Sequence, residues 1–369
     1  MLDLLKQLIA AAPTVNNGEV KAAQALAEFL NAYGIETELD IWDERRANLV
    51  ARLKSRHPAA APLLLAAHID VVPADAAQWT APPFSATEKD GKLYGRGATD
   101  MLGAIAVAAA AMAGASQQPH ALRRDIILAA VAGEETDSCG AKRFVQQYRQ
   151  RFAAPLGVIV PEPTAMKALR AHRGLLWLRI TAHGRTAHGS MPHLGVNAIL
   201  KINALLNRLG GAAIPHTPHP LLGGCSLSAN RIAGGSGVNI VPDVCRLDID
   251  IRTLPGQSAE MVVGWMQNIL NELAAQDSDF KAEISVLRQC DAMETPADEP
   301  FLRAVCQTVG QTEAGAVGFT TDAPYFAPLG PVVIFGPGDP QQCHKPDESI
   351  DIDALHRART IYQRIFLDI

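Results

Sequence analysis

The stretch LLLAAHIDVV, residues 63–72, is the part of the sequence from which the fold can be worked out. Its five apolar residues follow Pro62 and predict a short strand buried on both faces, as in a parallel sheet. His68 and Asp70 stand two residues apart, so both side chains project from the same side of the chain. Burying an imidazole and a carboxylate together costs free energy unless each has a partner. We therefore expect other polar residues to meet His68 and Asp70 at the end of this strand.

The order of elements around this strand is typical of an α/β layer with a mixed, mostly parallel sheet flanked by helices. Helical periodicity predicts helices at 2–11, 18–33, 102–114 and 139–150, and apolar runs predict strands at 35–41, 47–54, 62–68, 125–132 and 156–160. The alanine-rich helix near 102–114 is expected to be buried. Near the end of the chain the same alternation returns, with a helix at 299–310, a strand at 331–335 and a helix at 352–366.

A different pattern occupies the middle of the chain. From Gly174 onward, apolar and polar residues alternate more regularly, as in a sheet with one face in water. Strands are predicted at 175–182, 226–233, 244–252 and 280–287, and helices at 196–209 and 258–275, which is the βαββαβ order of a ferredoxin-like unit. Because 369 residues are too many for one ordinary core, we expect a discontinuous domain, 1–173 plus 290–369, with an α+β domain, 174–289, inserted into it.

Composition and charge exclude several classes of protein. Hydrophobic residues make up 48% and charged residues 19%, which indicates a globular chain rather than a disordered one. The net charge is −5 without a block of lysine or arginine, so we expect no nucleic-acid partner. The longest apolar run, at 103–115, is too short to span a membrane, and the N-terminus has the pattern of an amphipathic helix rather than a secretory signal. Scattered cysteines without a C-x-x-C pair favour a reducing compartment, so a cytoplasmic protein is predicted.

Polar residues with metal-binding chemistry recur at predicted strand ends and in loops of the larger domain. They are His68 and Asp70, Asp100 in GRGATD (95–100), Glu134 and Glu135 in GEE (133–135), Glu162 in VIVPEP (158–163), and His344 in CHKPDE (343–348). Taken singly, each has a structural interpretation, such as a carboxylate pair at a helix N-terminus. In open α/β sheets, however, ligands gather at the carboxyl ends of strands. Converging carboxylates would repel each other strongly without cations, and two divalent metals such as zinc or cobalt would remove that repulsion.

The motifs H-x-D, G-R-G-x-x-D-M, E-E and a late H-x-P-x-E occur here in a distinctive order and spacing. With them the sequence resembles the dinuclear-zinc amidohydrolases and peptidases of the M20 type, over essentially the whole chain. That family includes acetylornithine deacetylase, succinyl-diaminopimelate desuccinylase and glutamate-releasing carboxypeptidases. The resemblance implies a zinc-peptidase-like catalytic domain and an inserted domain that serves in dimerisation or as a lid.

The resemblance also implies which residues hold two divalent metal ions, zinc or else cobalt. The five ligands are Asp100 between the metals, His68 and Glu162 on one metal, and Glu135 and His344 on the other. Asp70 is implied to orient His68. Glu134 is implied to be the general base that activates a water bridging the two metals.

Four further residues, in or near the inserted domain, match positions where the family contacts its substrate. His188, in GRTAHGSMP (184–192), resembles a histidine that donates to the oxyanion, often from the partner subunit of a homodimer. Asn239 and Arg252 resemble residues that bind the substrate α-carboxylate, and Thr320 resembles a residue that lines the pocket. Considered without the family, His188 is equally well an ordinary loop histidine, and Arg252 a solvent-facing strand residue. A homodimer formed through the inserted domain is implied as well.

The implied function is hydrolysis of the amide bond of an N-acyl amino acid, with N-acetylornithine as first candidate and N-succinyl-diaminopimelate as second. One alternative is a metallopeptidase or carboxypeptidase of the same type acting on small peptides. Another is a catalytically inactive metal-binding relative, against which the presence of Glu134 and every ligand argues. A serine hydrolase or a nucleotide-binding enzyme is disfavoured, because the sequence has no G-x-S-x-G, Walker A or strand-following G-x-G-x-x-G motif.

Overall fold

The computed structural model describes residues 1–57 and 60–369, which form two compact units. The first unit comprises Met1–Arg170, Glu294–Ala316 and Thr321–Ile369, and the second comprises Ala171–Met293 and Val317–Thr320. The insertion expected from the sequence, 174–289, differs from the second unit by a few residues at either end and does not include its short last segment. A role of the insertion in dimerisation or as a lid stays a prediction.

The secondary structure is numbered here along the chain. The helices are α1 (Leu2–Ala10), α2 (Val20–Asn31), α3 (Leu102–Ser116), α4 (Cys139–Arg151), α5 (Ala198–Gly210), α6 (Ala259–Gln276), α7 (Pro300–Val309), α8 (Ala323–Phe326) and α9 (Ile352–Asp368). The strands are β1 (Glu36–Ile41), β2 (Ala47–Leu53), β3 (Leu63–His68), β4 (Thr87–Lys89), β5 (Lys92–Tyr94), β6 (Ile126–Val131), β7 (Gly157–Val160), β8 (Leu169–His172), β9 (Leu175–His183), β10 (Ser226–Gly234), β11 (Val244–Arg252), β12 (Lys281–Cys290), β13 (Met293–Glu294), β14 (Gly315–Val317), β15 (Val332–Ile334) and β16 (Ser349–Asp351).

A nine-stranded mixed sheet, lying mainly in the first unit, has the order β1-β2-β6-β3-β7-β15-β8-β13, with β14 paired to β8. Its central strands β6, β3, β7 and β15 run parallel, and Leu65 of β3 stands opposite Leu128 of β6 and Ile159 of β7. Strands β1 and β2 extend one edge in antiparallel pairing. Every residue of β3 and of β6 is buried, as expected for strands covered on both faces. The predicted fold class, an α/β layer with a mostly parallel sheet flanked by helices, is confirmed.

Helix α3 lies inside the apolar core of the first unit, where it packs against α1, α2 and α9. All its residues from Leu102 to Ala113 are buried, which confirms the buried helix expected from the alanine-rich sequence. Its first turn lies very close to the preceding loop, because a Cβ added at Gly103 would be 2.3 Å from the main-chain oxygen of Ala98. The core therefore fixes the start of α3 and the loop before it. No described helix is both long enough and apolar enough to cross a membrane.

The second unit has the ferredoxin-like element order β9-α5-β10-β11-α6-β12 that the sequence predicts. Its four strands form an antiparallel sheet in the order β10-β11-β9-β12. One face is apolar, since Leu178 and Ile180 of β9 share a core with Leu205 of α5 and other residues of both helices. The other face carries ion pairs such as Arg179 Nε to Asp248 Oδ1 at 2.7 Å. The alternation of apolar and polar residues in this part of the sequence thus corresponds to a sheet with one covered face.

Candidate metal centre

The polar residues predicted at strand ends meet at one edge of the nine-stranded sheet. Strand β3 ends at His68, β6 is followed closely by Glu134 and Glu135, and β7 is followed closely by Glu162. Because β6, β3 and β7 are parallel neighbours, their carboxyl ends open on the same edge. Asp100 joins this group from the loop that precedes α3. The first unit alone therefore provides the frame of the site.

Asp100 lies at the centre of the group, between two histidines. Its Oδ1 is 3.2 Å from Nε2 of His68, and its Oδ2 is 3.4 Å from Nε2 of His344. On the first side, Oε1 of Glu162 lies 3.8 Å from Nε2 of His68. On the second side, Oε1 of Glu135 lies 3.0 Å from Nε2 of His344. All five predicted ligands are thus brought together as two histidine–carboxylate groups that share Asp100.

The hydrogen bonds of His68 define which of its ring nitrogens can bind a cation. Nδ1 lies 3.0 Å from the main-chain oxygen of Asp70, and a carbonyl oxygen can only accept, so Nδ1 carries a hydrogen. In the neutral ring the lone pair is then on Nε2, which faces the carboxylates of Asp100 and Glu162. A lone pair directed at two acceptors requires a proton or a metal ion between them. The buried ring, with its side chain 2% exposed, is therefore oriented as a metal ligand.

The same carboxylates control the charge of both histidines. Asp100 and Glu135 raise the pKa of His344 to about 10. Burial opposes protonation of His68, but its hydrogen bonds to Asp100 and Asp70, together with the negative charges of Glu162 and Asp70, outweigh burial and hold the pKa of His68 well above its ordinary value. Burial also opposes ionisation of Asp100, yet His344 and His68 together lower the pKa of this carboxyl. The imidazoles thus stand where positive charge is strongly favoured.

The remaining carboxyl groups show the opposite effect. Burial, with repulsion from neighbouring carboxylates, raises the pKa of Glu134 and Glu162 well above the ordinary value and also raises the pKa of Glu135. Two divalent cations would balance this excess of negative charge, and a mixed set of imidazole nitrogens and carboxylate oxygens is one that zinc accepts. Donor atoms of His68, Asp100 and Glu135 all lie within 4.8 Å of one another, so these residues fit a metal site.

Asp70 holds the loop that follows β6. Its Oδ1 accepts hydrogen bonds from the main-chain N–H groups of Gly133, at 2.9 Å, and Glu134, at 3.0 Å. Its Oδ2 accepts a hydrogen bond from the main-chain N–H of Glu135 at 3.1 Å. The side chain of Asp70 is also 3.6 Å from Nδ1 of His68. The residue that the sequence suggested only as a partner of His68 therefore also fixes the backbone of Glu134 and Glu135. No local signal in the sequence indicates these bonds, because they join residues more than 60 positions apart.

Two buried carboxylates of the centre had no role in the sequence interpretation. Asp322, which is 4% exposed, is among the groups that raise the pKa of Glu134 and Glu162. It stands two residues after Thr320, for which the sequence predicts a different role, contact with the substrate. Glu348, with no exposed surface, belongs to the motif H-x-P-x-E and accepts hydrogen bonds in the loop that carries Asp100. Its position at the end of this motif is the sequence feature by which Glu348 could have been found.

The second unit contains the other predicted site residues. His188 and Asn239 lie on adjacent segments. His188 forms an isolated antiparallel β-bridge with Ile240, and the N–H of Gly189 donates a hydrogen bond to the main-chain oxygen of Asn239 at 2.7 Å. Both side chains are exposed. Nδ1 of His188 accepts the main-chain N–H of Ser190 at 3.2 Å, which leaves the ring hydrogen on Nε2 in the neutral form. An oxyanion-stabilising role for His188 stays a prediction.

Arg252 and Thr320 already have partners within the second unit. The guanidinium of Arg252 pairs with Asp250, with Nε 2.9 Å from Oδ1 and Nη2 3.0 Å from Oδ2. The hydroxyl of Thr320 donates to the main-chain oxygen of Arg173 at 2.8 Å. Asp250 therefore holds the guanidinium in a defined orientation, while the Thr320 hydroxyl serves the backbone. Substrate contacts by Asn239, Arg252 and Thr320 stay predictions.

Two histidine–carboxylate groups that share Asp100, at the carboxyl ends of parallel strands, suit a metal-dependent hydrolase. Comparison with known proteins gives the family, because the model of peptidase family M20/M25/M40 matches residues 64–368. The chain belongs to this family, and the resemblance found in the sequence is confirmed.

Relatives of the chain are similar over nearly their whole length. The acetylornithine deacetylase of Myxococcus xanthus is 32% identical over an alignment 372 residues long, gaps included, which covers 98% of this chain and 95% of that protein. The acetylornithine deacetylase of Edwardsiella ictaluri (strain 93-146) is 31% identical over 351 residues, which cover 92% of this chain and 88% of that protein.

Solved structures of lower identity share the fold. An M20 family metallo-carboxypeptidase from Sulfolobus solfataricus superposes with a TM-score of 0.81 at 18% identity, covering 99% of this chain and 98% of that chain. A dinuclear metal binding peptidase of the M20 family from Bacillus subtilis gives a TM-score of 0.74 at 16% identity, covering 100% of this chain and 95% of that chain.

Removal of the Asp70 carboxylate is expected to release the loop that carries Glu134 and Glu135. Each main-chain N–H left buried without an acceptor costs about 1–3 kcal/mol. We expect Asp70→Ala to lower the free energy of unfolding in urea by at least about 2 kcal/mol. Its content of bound divalent metal after dialysis, measured by plasma mass spectrometry, should fall below that of the unchanged protein. Asp70→Asn keeps one acceptor oxygen, so its free energy of unfolding and its metal content should lie between those of Asp70→Ala and those of the unchanged protein.

Asp125→Ala is the matched control for Asp70→Ala. Asp125 is 5% exposed and accepts the N–H of Ser55 and the guanidinium of Arg52, but it precedes β6 rather than following it. This variant should lose stability and keep its metal. Equal content of bound divalent metal in Asp70→Ala and the unchanged protein would contradict a loop-holding role for Asp70.

Proposed function

We propose that the protein hydrolyses the amide bond of an N-acyl amino acid, with N-acetylornithine as the preferred substrate, to give a carboxylic acid and a free amine. The observation that carries this proposal is the position of Asp100 between His68 and His344, each with its own further carboxylate. The amide-hydrolysing family supports the reaction type. The acetylornithine deacetylases that are about 30% identical over most of the chain support the substrate.

Two zinc ions are the proposed cofactors. One would be held by His68, Glu162 and Asp100, and the other by His344, Glu135 and Asp100, with donor types that zinc prefers and cobalt also accepts. When bound, such ions polarise a carbonyl and make hydroxide available from water near neutral pH. The protein residues supply the geometry for this, because three strand ends, the loop before α3 and the loop before β16 hold the ligands on a rigid frame.

Glu134 is the proposed general base. It is 9% exposed and adjacent in sequence to Glu135, so one carboxylate can bind a metal while the other reaches the attacking water. The Glu134 carboxylate takes a proton from this water as the water oxygen adds to the carbonyl carbon of the substrate. The same proton then passes to the amide nitrogen, the C–N bond breaks, and the amine leaves. A buried carboxylate among other carboxylates is well suited to hold this proton for the time between the two transfers.

Residues of the second unit are proposed to bind the substrate. With Nδ1 acting as an acceptor, the neutral ring of His188 has an Nε2–H that can donate to the oxyanion. The guanidinium of Arg252, held by Asp250, matches a carboxylate in shape and charge, and Asn239 would add an amide donor. Thr320 is proposed to line the pocket with its methyl group, since its hydroxyl is bonded to Arg173.

A homodimer formed through the second unit is also proposed. Strand β10 is an edge strand and most of its residues are exposed. Large apolar side chains are exposed in the same unit, among them Leu200, Ile232 and Val238. Exposed edges and apolar patches are features that self-association covers.

A cytoplasmic location is proposed as well. The cysteines of the described residues are all free thiols, which supports this location.

A substrate panel tests the proposed reaction. We expect kcat/KM for N-acetylornithine to exceed that for N-succinyl-diaminopimelate and for dipeptides by at least about tenfold, which corresponds to about 1.4 kcal/mol of transition-state binding. Dialysis against 1,10-phenanthroline should abolish the activity, and zinc or cobalt should restore it, because the ligands are present for both. Activity indifferent to the chelator would contradict the proposal. Faster hydrolysis of dipeptides would favour the alternative, a metallopeptidase using the same centre.

Replacement of Glu134 tests the base. Glu134→Gln keeps the size of the side chain but cannot take a proton, so we expect kcat to fall by roughly 10²- to 10⁴-fold with little change in KM. Metal analysis of the same sample should find the zinc content of the unchanged protein, in contrast to Glu135→Gln, which removes a proposed ligand. A kcat close to that of the unchanged enzyme would reject Glu134 as the base.

Mixing of inactive variants tests the dimer and His188 together. If His188 completes the site of the partner subunit, unfolding and refolding His188→Ala with Glu134→Gln should produce mixed dimers that each contain one intact site. About a quarter of the unmixed wild-type activity is then expected, since half of the dimers are mixed. Light scattering on a gel-filtration column checks the dimer. Mixed dimers without recovered activity would show that His188 does not act from the partner subunit.

A further inference from the structure

A buried carboxylate outside the proposed ligand set holds the loop that carries Asp100. Oε1 of Glu348 accepts the main-chain N–H groups of Thr99, at 2.8 Å, and Asp100, at 3.0 Å. Its Oε2 accepts from Nη1 of Arg96 at 2.5 Å. Glu348 has no exposed surface and Arg96 is 3% exposed. One side chain therefore binds the loop at both of its ends, through the guanidinium at the start and the N–H groups at the end.

The same residue connects Asp100 to the loop of His344. Glu348 stands four residues after His344, whose Nε2 is 3.4 Å from Oδ2 of Asp100. The main-chain oxygen of Glu348 accepts the N–H of Gly95 at 2.9 Å, and β16, which begins at the next residue, pairs with β5. The hydroxyl of Thr99 donates to the main-chain oxygen of Ser349 at 2.8 Å. Two chain segments, each with one metal-ligand candidate, are thus joined side by side, and the Glu348 carboxylate lies between them.

Arg96 is itself fixed, so it can hold Glu348 in place. The guanidinium carbon of Arg96 lies 5.2 Å from the centre of the Trp79 ring, and the main-chain N–H of Arg96 donates to the oxygen of Pro83 at 2.8 Å. An arginine–carboxylate hydrogen bond between two charged groups is short and directional. A lysine at this position could supply the charge but not the flat group that stacks on the ring.

We propose that Glu348, held by Arg96, is a positioning residue that sets the orientation of Asp100 and thereby the separation of the two cations it would bridge. It acts through Asp100 and is not itself one of the five proposed ligands. A bridging carboxylate must present both oxygens at once, so a small rotation of the Asp100 backbone moves Oδ1 away from His68 or Oδ2 away from His344. Hydrogen bonds to the N–H of Asp100 itself and of the residue before it prevent that rotation. This inference rests on the proposed function, since it assigns a residue that supports the same centre.

The test uses the full-length protein loaded with cobalt as a spectroscopic probe. Glu348→Gln keeps the size of the side chain and one acceptor oxygen, but its amide group faces Arg96 without a negative charge. We expect the Kd of at least one of the two cobalt ions, measured by calorimetry, to rise by about 10- to 100-fold, which is typical when a partner of a metal ligand is changed. The visible absorption bands of bound cobalt should shift, and kcat should fall more than KM changes. Arg96→Lys should change the same quantities in the same direction but less.

Asp125→Asn is the matched control. Asp125 is also a buried carboxylate of the first unit, and it accepts hydrogen bonds from the guanidinium of Arg52 and from the main-chain N–H of Ser55. This variant should lose thermal stability without any change in cobalt spectrum, Kd or kcat. Folding of every variant is checked by far-UV circular dichroism. If Glu348→Gln does not fold, Arg96→Lys decides the question by the same measurements. A folded Glu348→Gln, or in its place a folded Arg96→Lys, with wild-type Kd values and cobalt bands overturns the positioning role.

The outcome separates this inference from the proposed function. If the unchanged protein binds two cobalt ions but hydrolyses no amide in the panel, and Glu348→Gln still shifts the bands, then the positioning role holds and the proposed function fails. If the unchanged protein hydrolyses the amide and Glu348→Gln leaves all readouts unchanged, the proposed function holds and the positioning role fails. An unchanged protein that binds no cobalt overturns both.

Discussion

The carboxylate of Asp100, lying between two imidazoles, is the constraint on which the rest of the structure depends. Each of its oxygens faces a histidine nitrogen, and behind each histidine stands another carboxylate. Charges this close interact strongly, and little water screens His68, Asp100 and the two further carboxylates, whereas the side chain of His344 is 53% exposed. The arrangement is therefore stable only where positive charge is present, and the two histidine–carboxylate groups give that charge two positions. The family's metal-dependent chemistry follows from this balance of charge.

Two other buried carboxylates convert this balance into fixed geometry. Asp70 accepts three main-chain N–H groups from the loop after β6, and Glu348 accepts two from the loop before α3. In both cases a carboxylate replaces the water that would otherwise bind loop N–H groups, so the loops need no regular secondary structure to be ordered. The parallel strands supply rigid positions, and these carboxylates extend that rigidity across the loops that carry Glu134 and Asp100.

The two units place their predicted functional side chains in different kinds of structure. In the first unit the functional side chains are mostly buried and their neighbours determine their charge. In the second unit the predicted substrate residues are exposed or half-buried on an antiparallel sheet and its loops, where His188 and Asn239 lie on adjacent segments. We propose that the buried centre sets the reaction type. Substrate choice is assigned here to polar side chains such as Arg252, whose orientation depends on a single neighbour.

The sequence by itself determined the elements whose pattern is long or strongly apolar, together with the residue types of the centre. The buried strand that ends at His68 and the alanine-rich α3 were predicted because burial on all sides leaves no polar positions. The metal-ligand candidates could be identified because histidines and carboxylates recur at strand ends and in loops of the larger domain, within motifs that resemble those of the family, although each residue taken singly also has a structural interpretation. Short strands such as β4, β5 and β16 were not predicted, since three residues carry too little periodicity. The tertiary structure alone decided which oxygen of Asp100 faces which histidine and that Asp70 and Glu348 hold the ligand loops. These contacts join residues from about 30 to 250 positions apart, and hydrogen bonds at such separations are selected by packing and leave no local pattern in the chain.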